Sequence, residues 1–320
     1  MNSDRSRTST RTRTRTIRQS LRQSLRQSSW GARKGFTLIE LLAVITIIII
    51  LAAVAVPTLS AFKPNVSAAA ERQLLGALAR ARQLAISQRT TVYMVFCPTN
   101  FWSNTYDPSP YAFNNIISMM PATPAGMQSE MNKAMRLLNK QMIGYAFVSL
   151  KTLGDQPGRP TPRYLSSWQT LPNGAYIPLE KFLPNRRDPN YPVLMITNGT
   201  VTYPVLGFFT TNTIPFPSDQ VVSYAPYNTY GNSGPYVPLP FIAFNYLGQL
   251  VDGLNNPTGV DEIIPLSKGA VLFGKNPDKT TGTNAPTIVE SPVGNTTNSF
   301  DIVRVDWLTG RAHAERLEVQ

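Results

Sequence analysis

The chain has 320 residues, with 30 Lys and Arg against 18 Asp and Glu, a single Cys (Cys97) and a single His (His313). One Cys excludes an intrachain disulfide framework. One His, set in a charged terminal segment, excludes multi-His zinc sites and argues against a Ser-His-Asp triad, and there is no Gly-rich phosphate loop.

The net charge of +12 resembles a nucleic-acid signal only until it is located: residues 1–35 hold nine Arg, Lys34 and Asp4, leaving a balance of only +3 from Phe36 onward. This basic segment is of low complexity. Arg and Thr alternate from Thr10 to Thr16, and an Arg-Gln-Ser unit then repeats behind Ile17, Leu21 and Leu25. Those three apolar residues would share a helical face on anionic lipid. The simpler reading is a disordered basic arm that keeps its side of a membrane cytoplasmic.

From Phe36 to Val56 the chain is apolar apart from Thr37, Glu40 and Thr46. At 1.5 Å per residue this run is about 31 Å long, one bilayer core. Arg33 and Lys34 precede it and no basic residue follows before Lys63, so everything beyond Pro57 is expected to be exported. Pro57 bends the helix, and Ala68–Gln88 continues it as an amphipathic helix with Leu74, Leu78, Ala81 and Ala85 on one face. A secretory signal cut after Ala55 would also explain the basic start and the apolar run. It leaves Glu40 unexplained and interrupts a helical pattern that runs on.

Thr91–Cys97 predicts the first strand. A Pro- and Asn-rich stretch follows, then a short helix carrying Met131, Met135, Leu138 and Met142 as a core stripe. Further strands are expected at Tyr145–Leu150, Val193–Thr197, Val201–Phe209, Phe241–Tyr246, Ala270–Phe273, Ile302–Trp307 and Ala312–Val319. The last two form a hairpin turned by Leu308-Thr309-Gly310-Arg311, with Gly310 at positive φ. A helix followed by strands predicts an α+β fold. Its parts are a basic segment 1–35, a long helix 36–90 with a transmembrane half 36–57, and an exported β-rich domain 91–320 on an antiparallel sheet.

The segment Lys34-Gly35-Phe36-Thr37-Leu38-Ile39-Glu40-Leu41-Leu42, followed by its apolar run, resembles the N-terminal signature of type IV prepilins and type II secretion pseudopilins. The resemblance implies that a prepilin peptidase cuts between Gly35 and Phe36, N-methylates Phe36 and so removes the leader. It makes Glu40 the acidic assembly contact and Pro57 the helix kink. It further implies a pilin-like fold, an inner-membrane precursor with a periplasmic domain, other pilin or pseudopilin subunits as partners, and neither cofactor nor catalytic residue. The leader is longer than is usual in the family. A carboxylate within an apolar helix is costly, about 2.5–3.5 kcal/mol at mid-bilayer, so Glu40 needs compensation. The helix N-terminus and the free amine of a neighbouring Phe36 would supply it.

Shorter pieces resemble the H-type minor pseudopilins (GspH/FimT-like). These are Leu74–Thr91, Leu171-Pro-Asn-Gly174, Phe244-Asn-Tyr-Leu-Gly248 and the closing Val303–Arg311. Some relatives of that type bind DNA through a basic C-terminal segment, so Arg304, Arg311 and Arg316 define an alternative DNA-uptake reading. Asp301, Asp306, Glu315 and Glu318 lie among them and oppose phosphate binding. Residues from about Asn100 to Pro162, and much between Asn185 and Pro240, match nothing in that family.

Overall fold

The computed structural model describes residues 38–48 and 66–315, except 104–112, 115–123, 152–154, 156–161, 184–193, 199–200, 212, 218–236 and 299. The chain divides at Lys63–Pro64 into two units. Of the first, helix α1 (residues 38–48) is described; the leader, Gly35, Phe36, Pro57 and the passage from one helix to the next lie outside the described residues. The second unit has an α+β fold.

Helix α2 (Val66–Gln88) follows the predicted spacing: Leu74, Leu78, Ala81 and Ala85 are buried, while Arg72, Arg80 and Gln83 face outward. It stops at Arg89, which takes φ +50°. There the amide of Arg89 bonds the carbonyl of Ile86 at 3.3 Å and that of Thr90 bonds Ala85 at 3.2 Å. This is the Schellman closure, with an Arg where Gly is usual.

The strands make two main antiparallel sheets and a small two-stranded one. The first runs β10 (Leu250–Val251), β9 (Leu239–Phe244), β1 (Val92–Phe96), β2 (Gly144–Ser149) and β3 (Arg163–Tyr164); β4 (Gln169–Thr170) also pairs with β2 and β8 (Phe209–Thr211) with β9. The second runs β12 (Thr287–Glu290), β11 (Glu262–Leu272), β13 (Asp301–Val305) and β14 (Ala312–Glu315), with β5 (Ala175–Tyr176) on β11. Strands β6 (Leu194–Asn198) and β7 (Val201–Val205) pair with each other.

Strand β1 shows why TVYMVFC is almost continuously apolar instead of alternating. Val92, Met94 and Phe96 pack with α2 in one core, while Tyr93, Val95 and Cys97 enter a second core. The first sheet is thus covered on both faces, the condition under which strands lose their polar side. The second cover comes from the stretches that resembled nothing. It includes Phe101, Phe113, Leu137, Leu138, Ile214 and Phe216, with helix α3 (Pro124–Met135). Phe101 and Phe216 meet edge-to-face at 5.0 Å, the arrangement favoured by ring quadrupoles. The predicted Met stripe packs there through Met131, Met135 and Leu138. Met142 does not share that face: after the 3-10 turn Leu138–Lys140 it takes φ +65° and enters the other core beside α2.

Several predicted strands change their limits. Val201–Phe209 divides into β7 and β8. The predicted Ala270–Phe273 is only the end of the 11-residue β11, which runs through Pro265, paired with Ile302. The described part of the last strand ends at Glu315.

Of the four short pieces quoted for the H-type resemblance, one lies mostly in α2 and the other three pack against that helix. The turn ending in Gly174 lies against Val66, and the turn ending in Gly248 lies against Arg82 and Ile86. Arg82 Nε donates to the carbonyl of Thr309 at 2.7 Å, and the amide of Leu250 donates to Trp307 at 2.9 Å. The β13–β14 hairpin forms with Val305 opposite Ala312. Its turn is held by Asp306, whose Oδ1 accepts from the amide and hydroxyl of Thr309 at 2.6 and 2.7 Å. Gly310 has φ +63°, as expected, and a Cβ there would lie 1.9 Å from the carbonyl oxygen of Gly248. The two turns therefore touch backbone to backbone, and helix, first sheet and second sheet are clasped at one point.

Candidate functional site: the N-terminal apolar helix

Leu, Ile, Val and Ala dominate residues 38–48. Every residue of this helix is exposed, including eight large apolar side chains from Leu38 (82 %) to Ile48 (58 %). A helix that is apolar all round belongs inside a core or a bilayer. Each such side chain gains about 1.5–3 kcal/mol on full burial. Partly exposed as they are, the eight together would still gain on the order of 10 kcal/mol from a cover that water does not provide. Among the described residues no helix is long and apolar enough to cross a membrane, and the described part of α1 is eleven residues.

Glu40 sits in the first turn of the described helix, with its side chain exposed among these apolar neighbours. Thr46 differs from it in kind. Its hydroxyl donates back to the carbonyls of Leu42 at 3.1 Å and Ala43 at 2.8 Å, so its polarity is satisfied within its own helix. The only ionisable group of α1 is therefore the carboxylate.

This helix lies inside a segment that a known family matches. The family described as the prokaryotic N-terminal methylation motif matches residues 30–56. The chain carries the type IV prepilin and pseudopilin signature. The match spans the predicted junction Gly35–Phe36, Glu40 and the whole of α1. No curated protein and no solved structure matches the chain.

Of the alternative basic site, Arg304 is engaged within the fold. Arg304 Nε bonds Asp261 at 2.8 Å and its Nη1 bonds Glu315 at 3.1 Å. These two hydrogen-bonded carboxylates hold the guanidinium charged and raise its pKa further. A guanidinium spent on two carboxylates has little left for phosphate. Arg311 is exposed in the hairpin turn, whose Asp306 carboxyl is held below the usual range by its bonds from Thr309; Arg316 lies outside the described residues. His313, on β14, is exposed opposite Arg304. Among the described residues no group of three or more His, Cys, Asp and Glu could hold a metal ion.

The sequence missed a buried ion pair. Lys181 and Glu262 meet with side chains 0 % and 6 % exposed. A lysine inside the apolar run Tyr176-Ile-Pro-Leu-Glu-Lys-Phe-Leu was the available signal, but its partner is 81 residues away.

Proposed function

We propose that this chain is a non-enzymatic, pilin-like subunit of a type II secretion pseudopilus or a type IV pilus-like filament. The observation that carries this is one coincidence: the methylation motif covers a helix whose apolar side chains are exposed all round and which holds a single carboxylate. The precursor sits in the inner membrane with its leader in the cytoplasm. Prepilin peptidase cuts after Gly35, where a residue without a side chain gives unobstructed access to the backbone. Phe36 is N-methylated, and the helix passes from lipid into a bundle with the helices of other pilin or pseudopilin subunits. Glu40 there partners the amine of a neighbouring Phe36.

Within this class we assign the chain to the H-type minor subunits. Three of the four sequence pieces that resemble that type pack on α2, which carries the fourth: the turn ending in Gly174 at Val66, and the other two together at Arg82. The second cover on the first sheet is an addition of this chain.

The purified native protein is expected to begin at Phe36 and to carry an N-methyl group, as read by mass spectrometry of its N-terminal peptide. A chain beginning at Val56 would overturn the pilin reading.

A further inference from the structure

Strand β11 runs alongside α2 and then past its beginning. Glu262, its first residue, pairs with Val305 at the base of the turn whose Thr309 carbonyl accepts from Arg82. Further along, the amide of Gly269 bonds the carbonyl of Gly174 at 3.0 Å, and Gly174 lies against Val66, the first residue of α2. From Val66 to Arg82 a helix rises about 24 Å, and from Glu262 to Gly269 a strand rises about 23 Å, so the two elements match end for end. Beyond Gly269, β11 continues for about another 10 Å to Leu272 and returns as β12, with Leu272 opposite Thr287 and Gly269 opposite Glu290. This hairpin therefore overhangs the start of α2.

Its two faces differ. Val271 and Ile288 pack against the core, and Glu290 is bonded by the hydroxyl of Thr296. Alternation puts Ala270, Leu272 and Val289 on the other face. Leu272 and Val289 are about half exposed there, and Val293, just past β12, is 94 % exposed. Lys268 shares that face by the same alternation, and Lys275 and Lys279 are exposed at the tip. Asp278 is the single acid of residues 273–286, and it is bonded by the amide and hydroxyl of Thr280.

We propose, on the reading of residues 36–56 as a membrane span, that the β11–β12 hairpin rests on the surface of an anionic bilayer. Ten residues carry the chain from Val56, the last of the apolar run, to Val66. Even fully extended they reach about 35 Å, so the end of the second unit from which the hairpin projects is tethered close to lipid. The chemistry of the outward face suits that surface. Leu272, Val289 and Val293 enter the boundary between headgroups and chains, while the long stems of Lys275 and Lys279 carry their ammonium groups to lipid phosphates. The contact holds the second unit down beside its own span until the subunit is withdrawn from the membrane.

The test uses the full chain reconstituted in vesicles of phosphatidylethanolamine and phosphatidylglycerol. A fluorophore is placed on Leu272→Cys and, in a second preparation, on Leu308→Cys. Both leucines are 52 % exposed, Leu272 beyond the start of α2 and Leu308 in the turn near Arg82, and the native Cys97 is fully buried and stays unlabelled. Lipid-borne quenchers are expected to quench the label at 272 strongly and the label at 308 little. Lys275→Glu combined with Lys279→Glu, or vesicles of phosphatidylcholine alone, should remove most of that difference. Equal quenching of the two labels overturns the proposal. So does self-quenching at 272 that rises with protein density in place of lipid quenching, which gives the face to a second copy of the chain. A third label, on Ala43→Cys, separates the failures. If it is quenched and the label at 272 is not, the membrane span stands and the hairpin contact is lost; if neither is quenched, both readings fall.

Discussion

Glu40→Val is expected to leave cleavage and membrane insertion intact while reducing co-purification with partner subunits more than about a hundredfold. In the proposed processing the cut depends on Gly35, and replacing a carboxylate by an apolar side chain makes the span more favourable to insert. On the proposed assembly, what disappears is the group that pairs with a neighbour's Phe36 amine inside the bundle. One member of a buried ion pair left alone costs about 3–5 kcal/mol, and each 1.4 kcal/mol is tenfold in an equilibrium constant. Thr46→Val is the control on the same helix. Its hydroxyl bonds only the carbonyls of Leu42 and Ala43, so its loss leaves no interhelical partner stranded. Equal co-purification of the two variants would show the carboxylate to be a bystander.

Gly310→Ala should destabilise the second unit by more than about 4 kcal/mol, a loss at the upper end of single substitutions. Two effects add. An L-residue at φ +63° costs about 1–2 kcal/mol. The new Cβ would also sit 1.9 Å from the Gly248 carbonyl oxygen, a backbone atom that cannot swing aside. Gly259 isolates the second effect. It has nearly the same φ, +69°, but nothing lies within 4 Å of its Cβ position. Gly259→Ala should therefore pay the conformational cost alone. Urea unfolding of the two variants, followed by circular dichroism, makes the comparison. If they lose stability equally, the contact between the two turns does not hold helix and sheets together.

What could be read from the sequence was what is encoded locally. Strand β1 was placed to within a residue at each end, and the β13–β14 hairpin with its Gly310, because apolar runs and turn residues carry their meaning within a few positions. The α2 face followed from spacing alone. The signature around Gly35 and Glu40 was equally legible, since a processing enzyme must read it as a linear segment. Strand β11 was cut short because Pro265 and Gly269 look like punctuation. Both are accommodated by long-range neighbours: Pro265 opposite Ile302, and Gly269 with its amide on Gly174. Only the completed sheet shows this. Likewise the pairing of Lys181 with Glu262, and the double cover that buries both faces of the first sheet, join residues whose proximity no local pattern announces.

The position of Cys97 bears on how this molecule would meet an oxidising compartment under the proposed export. Its thiol is fully buried between the first sheet and the Leu137 carbonyl, which accepts from Sγ at 3.5 Å, and burial pushes its pKa up. Thiolate is the species that exchanges with disulfides, and here it is suppressed by both access and acidity. The folded chain can therefore pass through oxidoreductases without mixed disulfides or thiol-linked dimers. A cysteine introduced on residues 38–48 would be the molecule's one reactive sulfur, and any disulfide it formed would report which helices lie side by side.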